Sequence, residues 1–370
     1  MTAQSQATAQ GAEKRPWTII LVVIRPRARA SQSLKAGLAV ALAVLLLPAP
    51  LPAWGGQAPR QTVKPMAGPR ATALQVTPIY VQPDPNSAKV ERLPMGREMV
   101  VAEKSGPWLR VFANTGIEDS ADRKDLPDFG GGATPPPVSG WIEARGIVVE
   151  GAPGSDQVLM GAAASEELLA SDPRGPVSAA RSARLLYRRV VEMFPDSPLV
   201  PEAMWRAADI EWQIEKADAA TRPSAREQAP DLRDRMDEDE LKKVIRYYPR
   251  SRWAALAAYD LIDNKLCGDW QGQEKCPEKE SGVYERYAGD YPDGPKTAQA
   301  LYRAAYRQAA LAEMYETGGN RKRSADARHH ACALAARLKD KFPQTDSAWR
   351  AAALVYKLDE GIPVYGIDLN

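Results

Sequence analysis

Beyond residue 160 the apolar positions of this chain fall at helical spacing, in Ala, Leu, Arg and Glu-rich runs that are punctuated four times in the same way. Pro195, Pro249, Pro292 and Pro343 each follow an aromatic residue, Phe194, Tyr248, Tyr291 and Phe342. Eight residues after each proline stands an alanine: Ala203, Ala257, Ala300 and Ala351. Five before it stands Val190, Val244, Tyr287 or Leu338. Proline cannot continue a helix and biases the residue before it away from helical dihedrals, so each marks the end of a first helix. Ser197, Ser251, Gly294 or Thr345 then caps a second, with Pro198 and Pro295 suited to its first turn. The constant alanine predicts close approach of the two helices and the aromatic fills the wedge between them. Four helix hairpins at intervals of 54, 43 and 51 residues follow, stacked into an array over residues 161–358, with a tail at 359–370. Loops account for the unequal intervals, the run from Ala217 to Asp239 in the first and "GGNRKRS" in the third.

Upstream, the pattern changes to short β-type runs: "ALQV", "PIYVQP", "EMVVAEK", "WLRVFA" and "GWIEARGIVVE", separated by Pro, Gly and Asn. Several short strands between turns predict a small all-β barrel over residues 74–150. A Gly, Pro and charge-rich excursion interrupts it at 113–139. Its Gly130 to Gly132 lack the Lys-Ser/Thr and the helix of a phosphate loop and read as a loop tip.

The first 53 residues read as a signal segment. An apolar run from Ala36 to Leu47 lies behind Arg25, Arg27, Arg29 and Lys35, in the order of a secretory leader, and is short for a bilayer span, which takes roughly 20 residues. Cleavage is expected near Ala53 or Ala58. A second apolar patch, Trp17 to Ile24, makes the leader long, and initiation near Val22 or Val23 would shorten it to an ordinary one. Residues 54–73, rich in Pro, Gly, Ala and Gln without periodicity, read as a flexible linker.

Charge changes the picture once the leader is set aside. The first 53 residues carry six Lys/Arg and one acid, leaving 43 basic and 46 acidic residues in the remainder. That balance gives no footprint for nucleic acid. Export also bears on the three cysteines. Cys267 and Cys276 enclose a polar, Gly-containing loop and read as a local disulfide, with free or metal-bound thiols as the alternative; Cys332 is left as a packed helix residue.

The β-rich stretch resembles the bacterial SH3-like (SH3b) family of cell-envelope modules. The resemblance rests on Val76, Pro78, Tyr80, Pro83, Ser87, Val90, Leu93, Gly96, Val100, Gly106, Trp108, Val111 and the closing Gly140-Trp141. It implies that Tyr80, Trp108 and Trp141 border a shallow groove. Trp141 also reads as filler of the small core, and the excursion departs from the family pattern beside that groove. The helical region resembles tetratricopeptide-like (TPR) arrays, without their 34-residue period, and that resemblance implies protein partners.

Candidate chemistry is sparse. His329 and His330 are adjacent and do not share a chelating face; His329 and Cys332 share one but lack a third ligand, so surface and core roles are the preferred reading over zinc. The acidic run Asp237 to Glu240 reads as a helix start favoured by the helix dipole. Asn320 to Arg323 reads as a solvated turn. Trp205, Tyr259 and Tyr302 recur ten residues after their prolines and read as core, whereas Trp212, Trp253 and Trp349 do not recur and are expected to be exposed, as binding candidates. Together these observations predict no catalytic residues, no cofactor and no metal. The chain reads as an exported, periplasmic or envelope adaptor that binds an envelope protein through its array; the alternative is a peptidoglycan-binding protein acting through the barrel. Contact with the membrane is expected only through an uncleaved leader.

Overall fold

The computed structural model describes residues 68–113 and 137–365. The leader, most of the linker, the body of the excursion (114–136) and the last five residues lie outside the described residues. Among the described residues a seven-stranded antiparallel sheet precedes nine helices.

The strands are β1 (Arg70–Ala73), β2 (Thr77–Tyr80), β3 (Lys89–Leu93), β4 (Glu98–Ser105), β5 (Trp108–Ala113), β6 (Val138–Glu143) and β7 (Ile147–Val149), in the spatial order β3, β2, β6, β5, β4, β1, β7. The small all-β unit is therefore present, but its ladder is not closed between β3 and β7. Two boundaries differ from expectation. Strand β1 lies inside the stretch read as linker, and Leu74 to Val76, read as strand, forms a bend that leaves Val76 exposed. β3 carries no alternation, because it is an edge strand whose first four side chains are exposed and only Leu93 reaches the core. The core comprises Ala71, Ile79, Leu93, Met99, Leu109, Val111 and Ile142 with their neighbours. Gly140 faces it opposite Val111. A Cβ there would lie 2.4 Å from Ile79 Cγ2 and 2.7 Å from the Tyr80 carbonyl, so β2 and β6 close up only over glycine.

The helices are α1 (Ser155–Ala170), α2 (Ala179–Met193), α3 (Val200–Thr221), α4 (Asp239–Tyr247), α5 (Arg252–Asp260), α6 (Lys275–Asp290), α7 (Thr297–Thr317), α8 (Arg321–Lys341) and α9 (Asp346–Asp359). The last eight form the four expected hairpins, and α1 adds a helix packed on α2 that begins before the expected start at residue 161. The punctuation acts identically each time. Phe194, Tyr248, Tyr291 and Phe342 end their helices at φ −132°, −127°, −127° and −131° and ψ 58°, 53°, 66° and 48°. Each donates its N–H to the residue four back, Val190, Val244, Tyr287 or Leu338, and accepts from the N–H three on, that of Ser197, Ser251, Gly294 or Thr345. The four alanines are buried, as are the four residues they were paired with.

The second helices start in two ways. Ser251 and Thr345 accept from the N–H groups of Ala254 and Ala348, at 3.1 and 3.3 Å, as N-caps. In the first and third hairpins Pro198 and Pro295 lie two residues before the helix and not in its first turn, in turns closed by Val200 N–H to Ser197 O and Thr297 N–H to Gly294 O at 3.1 Å each. Asn320 caps α8 by accepting from Arg323 N–H at 3.2 Å, so the run read as a solvated turn is the helix start itself. Asp239 and Glu240 occupy the first turn of α4 as expected.

The sheet is clamped to α2. Arg189 donates from Nε to the Gly96 carbonyl at 3.0 Å and pairs with Glu98 and Glu192; Arg70 pairs with the same two carboxylates and donates to the Glu192 carbonyl at 2.8 Å. Among the described residues no helix is long and apolar enough to cross a membrane.

Candidate functional site

On the sheet, the three aromatics singled out from sequence share a face. Tyr80 pairs with Trp141 across β2 and β6, Trp141 pairs with Arg110 across β6 and β5, and Trp108 is two residues from Arg110. Cross-strand partners and residues two apart point the same way, so all four lie on the face opposite Ile79, Leu109, Val111 and Ile142. Trp141 is thus not the core filler its position beside Gly140 suggested. Tyr80 and Trp108 meet edge to face with ring centroids 5.5 Å apart, which leaves each 8% exposed. Trp141 is half-buried and is the accessible member of the three. Lys89 Nζ stands 5.9 Å from the Tyr80 ring centroid.

In the array the expectation for Trp212 is overturned: it is 1% exposed, packed with Leu241, Val244 and Leu261 where long α3 runs beneath α4 and the end of α5. Its indole N–H donates to Asp263 Oδ2 at 3.4 Å, and the same oxygen receives Lys216 Nζ at 2.6 Å. Trp253 is half-buried and Trp349 is 61% exposed. The recurring set is also half-buried and not sealed in the core.

Trp253 and Trp205 meet in the seam between the first two hairpins. Their rings stack at 5.3 Å and 26°, and the Arg252 guanidinium lies 4.9 Å from the Trp253 ring centroid. Trp205 Nε1 donates to Asp260 Oδ2 at 3.3 Å, and Gln213 Nε2 donates to Asp209 Oδ1 at 3.0 Å. Asp209 and Asp260, from α3 and α5, keep some exposed surface but have protein around them on nearly every side. Burial raises both carboxyls above the ordinary carboxylate range. Repulsion from Asp209 raises Asp260 further, and Glu167 does the same to Asp209; Lys296, at the start of α7, works against both shifts. Lys296 Nζ also stands 5.7 Å from the ring centroid of Tyr259, whose hydroxyl is raised by burial. The seam therefore combines a flat aromatic surface with two carboxyls raised chiefly by burial, which the Lys296 ammonium acts against at both and the Arg206 guanidinium at Asp209. Among the described residues the seam holds no nucleophile with an adjacent base and no oxyanion cradle.

The remaining groups are structurally engaged. Cys267 and Cys276 stand paired, with sulfurs 2.08 Å apart and Cα atoms 5.9 Å apart. Their loop carries Trp270, which stacks on Tyr365 of the tail at 5.8 Å and 11°. His330 Nε2 lies 3.0 Å from Glu285, and Cys332 is half-buried with its thiol raised by burial. Among the described residues no group of three or more His, Cys, Asp or Glu is placed to hold a metal ion. Sequence reasoning missed Asp209 and Asp260 because single carboxylates in separate helices carry no spacing signal. No family model matches this chain, and no curated protein matches it.

Proposed function

We propose that the chain is a non-catalytic adaptor of the cell envelope whose TPR-like array binds a protein partner at the seam between its first two hairpins. The observation that supports this is the Trp205–Trp253 stack lying beside the undercompensated Asp209 and Asp260 carboxyls. Aromatic platforms supply large contact area at low entropy cost, and buried carboxyls gain most from an incoming cation. The partner is accordingly a segment bearing Lys or Arg next to an apolar residue. Export through the leader puts the adaptor where such a partner is met.

The test is site-specific photocrosslinking in intact envelopes from Trp253, repeated with Asp260→Lys. The expected result is one discrete protein adduct from Trp253 that disappears with the lysine. No adduct, or one indifferent to the lysine, removes the reading.

A second reading takes the sheet as an SH3b-like, peptidoglycan-binding module. It is favoured by the common face of Tyr80, Trp108, Trp141 and Arg110, and its probe is Trp141, the most accessible of the three aromatics. Co-sedimentation with isolated sacculi that is lost in Trp141→Ala is the expected outcome; protein left in the supernatant sinks it.

A further inference from the structure

Two tyrosines of the array lack what their buried neighbours have. Tyr187 donates its hydroxyl proton to Glu167, and Tyr287 donates to the Ala255 carbonyl at 3.0 Å. Buried hydroxyls are ordinarily paired in this way. Tyr284 of α6 is 5% exposed and Tyr259 of α5 is half-buried, yet among the described residues neither hydroxyl has a hydrogen-bond partner in the protein. Neither is sealed from solvent. Their rings meet across the seam between the second and third hairpins, with centroids 6.2 Å apart and planes inclined at 47°. Arg303 of α7 is exposed, forms no ion pair among the described residues, and acts electrostatically on both hydroxyls. Three helices thus bring two O–H donors and a guanidinium, all without protein acceptors, to one place in this seam.

The surrounding charges narrow the class of ligand. Arg307, whose guanidinium stands 4.6 Å from the Tyr284 ring centroid, is neutralised by Glu280 at 2.7 Å. Asp263, which acts on both hydroxyls, is neutralised by Lys216 at 2.6 Å. Lys296, 5.7 Å from the Tyr259 ring centroid, acts on Asp209 and Asp260. What remains is the positive charge of Arg303. Burial raises both hydroxyls above the ordinary phenol range, which keeps them O–H donors. One positive charge with two O–H donors and a planar N–H fork matches a planar monoanion that accepts on two oxygens. A phosphate monoester, closer to two negative charges at neutrality, would bring a second charge that nothing here compensates, beside Asp263 and Glu280. We propose that Tyr259, Tyr284 and Arg303 form a carboxylate-binding site in the seam between the second and third hairpins, in which Arg303 supplies the charge and the two hydroxyls donate to the carboxylate oxygens. The carboxylate belongs to an acidic side chain or to a chain terminus. The site uses neither the Trp205–Trp253 stack nor Asp209, and stands independently of the seam proposed above.

Magnetic resonance of the full chain, isotope-labelled at the tyrosine Cζ atoms, tests this, with Tyr259 and Tyr284 assigned from Tyr259→Phe and Tyr284→Phe. Titration with sodium acetate against sodium chloride at constant ionic strength is expected to shift both resonances, saturating below about 100 mM, and to leave Tyr187 unmoved. Arg303→Gln, a change at an exposed side chain, should weaken acetate binding about tenfold or more, and Arg303→Lys should recover part of it. Tyr284→Phe should weaken the response read at Tyr259 while leaving the thermal midpoint in chloride unchanged or higher, because it removes a hydroxyl with no bond to lose. Inorganic phosphate should bind about tenfold more weakly than acetate, or worse. N-acetylalanine and the α-amide of N-acetylglutamate then separate the two sources, the tighter ligand marking a terminal or a side-chain carboxylate. Shifts common to acetate and chloride, a response that survives Arg303→Gln, or phosphate bound as tightly as acetate overturns the inference. A lowered midpoint in Tyr284→Phe overturns it too, since that hydroxyl would then be holding the fold and not awaiting a ligand.

Discussion

Trp205 reaches from α3 to donate its indole proton to Asp260 of α5 at 3.3 Å, so one hydrogen bond ties the first hairpin to the second beneath the stacked Trp253. The bond is to a carboxyl that burial and Asp209 both push toward the protonated form. Stability and pH are thereby linked at this seam.

Since the folded state raises the Asp260 carboxyl above its unfolded value, the protonated form favours folding. That contribution is complete below the ordinary value near 3.8 and disappears as pH rises through the raised one. Ionising this carboxyl is therefore a net cost to the fold, increased by Asp209 and Asp263 and offset in part by the Trp205 hydrogen bond and Lys296. Asp260→Asn is therefore expected to raise the urea midpoint at pH 7, and its advantage should shrink steadily toward pH 4. An advantage independent of pH would show that the carboxyl titrates normally.

Glu280 is 1% exposed and joins three elements: it receives Arg307 Nε at 2.7 Å, Cys267 N–H at 2.8 Å and Trp270 Nε1 at 3.4 Å. The Arg307 guanidinium also lies 4.6 Å from the Tyr284 ring centroid. Truncation to Glu280→Ala leaves a buried guanidinium uncompensated, at a cost of about 3–5 kcal/mol. The double change Glu280→Leu/Arg307→Met should recover most of it in equilibrium urea unfolding. If the double variant is as unstable as the single, packing and not charge is the origin of the loss.

The Cys267–Cys276 loop holds the tail as well as itself. Gly272 donates its N–H to the Tyr365 hydroxyl at 3.0 Å, Tyr365 stacks on Trp270, and Tyr365 N–H reaches Glu313 Oε2 at 3.0 Å. Cys276→Ser is expected to lower stability by about 2–3 kcal/mol, the value for a loop this short, and to make the 359–365 segment the first to gain hydrogen exchange. Unchanged exchange at Val364, now 1% exposed, would separate the tail from the loop.

Ala257, buried at 0%, occupies the constant position of the second hairpin. Ala257→Leu should cost about 1–3 kcal/mol through overpacking. The same change at exposed Ala352 should cost almost nothing, by thermal melting. Equal effects at the two sites would mean that the constant alanine does not set the helix approach.

The hairpins were legible because what makes them is local: proline, the aromatic before it and the residue two after it act within five positions, and Phe194 and Phe342 end their helices at nearly the same dihedrals. Strand β3 was not, since only Leu93 of its five side chains is buried and edge strands lose the alternation that reveals them. Trp212 was misread because failure to recur says nothing of burial; the length of α3 carries it under α4. Of the candidate site, Trp253 was picked out but not its stacking partner Trp205. Asp209 and Asp260 acquire meaning only when two hairpins are set side by side, which no single stretch of sequence encodes.

The arginine clamp between the sheet and α2 has a mechanical consequence. With Arg70 and Arg189 sharing Glu98 and Glu192, and Arg189 gripping the Gly96 carbonyl, the junction resists swivelling as a bare linker would not. Anything held by the outer surface of the strands and anything held by the repeats would be spaced as if by a ruler. Two targets could then be occupied together only when their own separation suits that gauge, and avidity would report distance as well as identity.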